Sequence, residues 1–101
     1  FKYFTLYNTI KYLLKMNVSI EITLMPLKDN YKEVIKNFII SLRNNEFKIF
    51  ENPLSTQIYG DYDKIMNLLN SKIKSVFSEN NGVMINLKIV NGDRSNYQAS
   101  F

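Results

Sequence analysis

Two runs of strict alternation constrain this chain more than any other feature. In the first, Val18, Ile20, Ile22 and Leu24 take one side while Ser19, Glu21, Thr23 and Met25 take the other. In the second, Val83, Ile85, Leu87 and Ile89 alternate with Met84, Asn86, Lys88 and Val90. A period of two sends successive side chains to opposite faces of a strand, so each run is a strand with one face to bury. That face needs a covering layer, and the sequence between the runs supplies it.

Tyr31, Val34, Ile35, Phe38, Ile39 and Leu42 recur at helical spacing. Asn30 followed by Glu33 has the spacing of a capping box, and Asn44-Asn45 closes the helix. Tyr62, Ile65, Met66, Leu69, Ile73, Val76 and Phe77 form a second stripe that runs to about Glu79. Gly60-Asp61 is expected to break the preceding strand and cap this helix, and Asn80-Asn81-Gly82 to stop it. Between the helices, Phe47 to Glu51 and Ser55 to Tyr59 read as strands joined by the turn Asn52-Pro53-Leu54. Pro26 ends the first strand and Asn91-Gly92 the last.

The order is β-α-β-β-α-β. Two amphipathic helices and four half-buried strands fit two layers, with both helices on one face of a four-stranded antiparallel sheet. That is an α+β, ferredoxin-like sandwich. The 101 residues suffice for one domain of this kind, expected over residues 16–92, with residues 93–101 as a polar tail. Residues 1–15 stand apart as an N-terminal extension. They are aromatic and apolar, too short to span a bilayer at about twenty residues, and lack a signal-peptide cleavage pattern. Three readings fit them: a translated upstream stretch with Met16 as the natural start, an amphipathic membrane-surface helix, or an added structural element. The first is preferred, and no stable membrane insertion is expected.

Composition narrows the chemistry. The chain has no cysteine and no histidine, which removes thiolate metal sites, cysteine nucleophiles and every Ser-His-Asp arrangement. A binding module is expected rather than an enzyme, with no cofactor and no metal. The net charge of +4 is concentrated at the start, where Lys2, Lys11 and Lys15 meet no acid. From Met16 onward ten basic residues face nine acidic ones, so the body lacks the basic stripe that nucleic acid requires. Other users of this fold fail on particular residues. An RNA-recognition sheet needs stacking aromatics on its central strands, where this chain offers Ser19, Glu21 and Thr23. An acylphosphatase-like loop should carry glycines and an arginine, whereas Met25-Pro26-Leu27-Lys28 carries neither.

The sheet face away from the helices is expected to carry Ser19, Glu21, Thr23, Met25, Ser55, Gln57, Tyr59, Met84, Asn86 and Lys88. Two readings remain open for it: a solvated face or subunit interface, or a pocket for a small polar aromatic molecule where two such faces meet. Glu21 would pair with an amino-substituted heterocycle, Gln57 and Asn86 could serve its ring nitrogens, and Tyr59 could stack on it. Ser55 and Thr56 point to opposite faces, so one of them at most shares the Glu21 face. Without a ligand, Glu21 must sit in water or pair with Lys88 or Lys48.

The segments NVSIEITLMPL, PLSTQIYGDYDKIM and VMINLKIVN resemble the YkoF-like family of thiamine-binding proteins. The resemblance runs from about Val18 to Asn91. Its most specific part is Pro53-Leu54-Ser55-Thr56 followed by Gly60-Asp61-Tyr62-Asp63, with Glu21 and Pro26 also matching. It implies a ferredoxin-like, single-domain protein that binds thiamine or hydroxymethylpyrimidine and assembles through its sheet into a homodimer or homotetramer. It assigns no catalytic residue. Within the matched segments, Pro53, Gly60 and Asp61 also serve as turn and cap residues. The ligand-binding set expected on both grounds is Ser19, Glu21, Ser55, Thr56, Gln57, Tyr59 and Asn86. A cytoplasmic location and a functional link to a thiamine-precursor transporter are further expectations, and a purely structural or regulatory homo-oligomer is the alternative.

Overall fold

The computed structural model describes residues 15–43 and 46–101. The readings of residues 1–14 and of the Asn44-Asn45 stop lie outside the described residues. The elements are β1 (Asn17–Pro26), α1 (Tyr31–Leu42), β2 (Lys48–Glu51), β3 (Thr56–Asp61), α2 (Tyr62–Glu79) and β4 (Val83–Asn91). The sheet order is β2-β3-β1-β4, antiparallel throughout, with both helices on one side. This is the ferredoxin-like α+β sandwich that the alternation and the helical stripes imply.

β1 is bonded on both edges. Ile20 lies opposite Ile58 of β3 and Ile89 of β4, and Glu21 lies opposite Gln57 and Lys88. Its even-numbered side chains Val18, Ile20 and Ile22 enter the core with Ile58, where α1 adds Val34, Phe38 and Leu42 and α2 adds Ile65, Leu69 and Val76. A buried aliphatic side chain of this size contributes about 1.5–3 kcal/mol relative to exposure. The stripes on both helices are therefore what hold the two layers together.

Several boundaries differ from the sequence expectation. Gly60 and Asp61 do not break β3; they extend it, pairing with Val18 and Asn17. Glycine suits this position because a Cβ there would stand 2.8 Å from Cδ1 of Phe47. Asp61 is still the cap, since its Oδ2 accepts the Lys64 N–H at 3.2 Å. Asn30 is not a side-chain cap. Its backbone carbonyl accepts the Glu33 and Val34 N–H groups while its side chain makes no capping bond. Gly82 takes φ +70° in the turn before β4, the left-handed region that favours glycine.

Two larger findings bear on function. The helices were expected to cover the series Val83, Ile85, Leu87 and Ile89, yet Leu87 is 38% exposed and Ile89 44%. The helical layer stops short of this edge strand. The second has no signal in the sequence: the chain after β4, read as a polar tail over residues 93–101, turns back over the open face, where Gly92 and Arg94 bond Ser19 of β1 and Asn96 bonds Lys48 of β2.

Removing the Asp61 carboxylate should cost about 1 kcal/mol of stability, whereas Asn30→Ala should stay within about 0.5 kcal/mol. Denaturant melts of Asp61→Ala and Asn30→Ala will measure both. A second expectation concerns the end of α1, where Arg43 forks onto Glu51 of β2 at 2.7 and 2.8 Å. The Arg43 hydrogen bond is the main reason the Glu51 carboxyl sits below its ordinary value. Stability from a lowered carboxyl is present above the unfolded value and lost as the pH falls through the folded one. The melting difference between the protein and Glu51→Gln should therefore close on acidification, as scanning calorimetry across the carboxylate range will read.

Candidate functional site

β1 lies between β3 and β4, so its odd-numbered side chains form the middle column of the uncovered face. Register arranges that face in rows. Phe50, Gln57, Glu21 and Lys88 make one row, and Lys48, Tyr59, Ser19 and Val90 make the next. The alternation places Glu21 here, near the centre of the sheet, half-buried between polar neighbours.

Glu21 Oε2 accepts a hydrogen bond from Ser55 Oγ at 3.0 Å, and Oε1 lies 3.7 Å from Lys88 Nζ. Of the partners considered for it, Lys88 is the one present. The Tyr59 hydroxyl donates to Gln57 Oε1 at 2.8 Å, which directs the Gln57 amide N–H groups elsewhere. The Tyr59 ring meets Phe50 edge-on, with centroids 5.8 Å apart and an interplanar angle of 71°. A carboxylate acceptor, an amide donor and an aromatic wall thus share one patch.

Ser19 has a different task. It is buried, and its Oγ donates to the Gly92 carbonyl and accepts the Arg94 N–H, both at 2.8 Å. Lys48 Nζ reaches Asn96 Oδ1 at 3.4 Å, which fastens the returning segment on β2. Hydrogen bonds from Ser95 hold the Asp93 carboxyl below its usual range. The tail therefore walls one end of the open face. Ser19, Glu21, Gln57, Tyr59, Lys88 and Arg94 line a shallow depression of about 180 Å³ beside it. Pockets that enclose small organic ligands run from about 300 to 1,000 Å³. The depression is smaller than these.

The structure thus brings together Ser19, Glu21, Ser55, Gln57 and Tyr59. Thr56 is not among them: it is buried on the helix side and borders a separate cleft with Pro53 and Leu54. Asn86 is exposed on the correct face but opposite Thr23, one row away from Glu21, and does not line the depression. Phe50 and Arg94 were not foreseen. Phe50 could have been found by carrying the alternation from Gln57 back across the hairpin, whereas nothing in the spacing of residues 93–101 signals a return. Among the described residues, no three His, Cys, Asp or Glu side chains gather as a metal site. No helix among them is long and apolar enough to cross a membrane.

No family model and no curated protein matches the chain. Solved structures do. A structural-genomics protein from Streptococcus pneumoniae is 28% identical with a TM-score of 0.71, over 77% of this chain and 89% of that one. A Thermotoga maritima protein, provisionally assigned to thiamine biosynthesis or salvage, is 20% identical with a TM-score of 0.66, over 72% of this chain and 81% of that one. A Bacillus cereus domain of unknown function is 11% identical with a TM-score of 0.66, over 84% and 85%. At 20% and 11% identity the likeness speaks to the fold alone.

Ser19→Ala removes the two hydrogen bonds that anchor the returning segment on β1. It should cost about 1–3 kcal/mol, because a buried polar group loses its partner. Trypsin should also cut faster after Arg94, which limited proteolysis followed by mass spectrometry will detect.

Proposed function

We propose that the chain is a non-enzymatic binding protein for thiamine or its hydroxymethylpyrimidine moiety, held at the open sheet face near a subunit interface. The observation that carries this reading is the half-buried Glu21 carboxylate, oriented by Ser55 and flanked by the Gln57 amide. An aminopyrimidine offers an amino donor next to ring-nitrogen acceptors. Glu21 would take the first in a charge-assisted bond and Gln57 would serve the second. Tyr59 and Phe50 give the flat ring an apolar side.

Three further points support the reading. The resemblance of residues 18–91 to the YkoF-like family names the same ligand class. So does the thiamine assignment of the Thermotoga protein, which has this fold. A chain without histidine or cysteine also suits binding better than catalysis. The depression holds less than a whole ligand, so a second copy in a homodimer or homotetramer would complete it. A protein of this kind would hand its ligand to the cell or to a thiamine-precursor transporter.

Glu21→Gln keeps the shape and replaces a charged acceptor with a neutral amide. A hydrogen bond to an ionised group contributes about 1.5–3 kcal/mol against about 1 for a neutral pair. The expected loss is about 1–2 kcal/mol, or about five- to thirty-fold in Kd, with little change in melting temperature. Calorimetric titration with thiamine and with hydroxymethylpyrimidine tests this. Unchanged affinity in Glu21→Gln would move the site off this face. No binding by the unmutated chain would favour the structural or regulatory homo-oligomer.

A further inference from the structure

The depression beside Glu21 carries more charge than an aminopyrimidine ring needs. Its charged lining is one carboxylate, Glu21, and two cations, Lys88 and Arg94. Glu21 Oε2 is fixed by the Ser55 hydroxyl at 3.0 Å, which leaves Oε1 toward Lys88 Nζ, 3.7 Å away. That separation is longer than an ordinary N–H···O hydrogen bond, and the lysine side chain is 74% exposed.

Arg94 is held by its backbone instead. Its N–H donates to Ser19 Oγ at 2.8 Å and its carbonyl accepts the Tyr97 N–H at 3.2 Å. Its guanidinium makes no hydrogen bond or ion pair among the described residues. The bonds that return the chain over the open face therefore deliver a free guanidinium to the depression. Asp93, the neighbouring acid, accepts the Ser95 N–H at 2.9 Å and does not line the depression.

Register decides which part of a ligand these cations would meet. Gln57 and Lys88 flank Glu21 on opposite sides. In hydroxymethylpyrimidine the carbon bearing the amino group has a ring nitrogen on one side and the carbon bearing the hydroxymethyl group on the other. With the amino group on Glu21 Oε1 and the ring nitrogen on the Gln57 amide, the hydroxymethyl substituent faces Lys88. In the free alcohol that substituent is neutral. In thiamine it is the bridge to a thiazolium cation, which Lys88 and Arg94 would repel. In the phosphate ester it carries negative charge, which both would attract.

We infer that the depression selects the phosphate ester of hydroxymethylpyrimidine over both the free alcohol and thiamine, with Lys88 and Arg94 as its phosphate-binding residues. This selectivity rests on the aminopyrimidine reading of Glu21 and Gln57. Arginine suits the task because its planar fork matches two phosphate oxygens at once. Lys88 gives up only a loose contact, and its ammonium stands between the carboxylate and the phosphate, where it offsets their repulsion.

Calorimetric titration of the full chain with hydroxymethylpyrimidine, its monophosphate, thiamine and inorganic phosphate tests the inference. At low salt the monophosphate should bind about ten- to thirty-fold more tightly than the alcohol, because charge-assisted bonds to phosphate are the strong ones. Thiamine should bind more weakly than the monophosphate. The advantage of the ester should shrink as salt is added, since both cations are exposed. Arg94→Gln and Lys88→Gln should each lower the ratio of ester to alcohol affinity by about three- to ten-fold. Arg94→Gln keeps the backbone N–H that anchors the segment on Ser19, so its melting temperature should match that of the unmutated chain.

Equal affinity for ester and alcohol, or tighter binding of thiamine than of the ester, would overturn the inference and leave the aminopyrimidine reading standing. So would an affinity ratio unchanged in both variants, or inorganic phosphate binding as tightly as the ester. No binding of any of the pyrimidines would overturn the inference together with the reading on which it rests.

Discussion

The central position of β1 is the constraint on which the rest depends. A strand bonded on both edges fixes the register of both neighbours, and its period of two then sorts every side chain in the sheet. Ile20 lies in the core because Ile58 and Ile89 flank it on the same side. Glu21 lies on the open face for the same reason, between Gln57 and Lys88. A slip of one residue would put the carboxylate among Leu69, Ile65 and Phe38. Burying an unpaired charge there would cost far more than any contact on the open face returns. The core therefore holds Glu21 in position, and the site inherits its precision from hydrophobic packing.

The same sorting explains why β4 is apolar on its helix side although only part of that side is covered: Val83 and Ile85 are half-buried, Leu87 and Ile89 exposed. Its odd-numbered residues are written for burial, just as the even-numbered residues of β1 are, but the two helices lie over the other strands and leave Leu87 and Ile89 in water. The exposed Lys88 on this strand is the kind of charge that discourages edge-to-edge pairing.

Periodicity made most of the architecture legible. The order of elements, the two stripes, the hairpin and the partition of Ser55 and Thr56 to opposite faces all follow from counting. Counting fails where a segment is placed by a partner distant in the sequence. Gly60 and Asp61 resemble a strand break, yet β1 begins early enough to pair with them, so the strand continues and the cap forms at its last residue. Asn30 has the right spacing for a capping box, but its backbone conformation, φ −88° and ψ 35°, departs from the extended geometry of a side-chain cap. Ser19 reads as an exposed hydroxyl until the chain after Gly92 returns to cover it. Its two partners lie 73 and 75 residues away, beyond the reach of any local pattern.

The polar contacts of Glu21 also bear on how the open face could exchange one partner for another. Its two oxygens are held unequally. Ser55 Oγ lies at hydrogen-bonding distance from one, whereas Lys88 stands 3.7 Å from the other on a side chain that is 74% exposed. An exposed ion pair of that kind contributes about 0–1 kcal/mol, since solvent screens it and its side chain loses freedom. A donor arriving at Glu21 Oε1 would displace Lys88 at small cost while Ser55 kept the carboxylate oriented. Preorganisation of this sort lowers the ordering cost of binding. The displaced ammonium would remain at the rim, beside Arg94, where two cations could meet any anionic substituent that the incoming molecule carried.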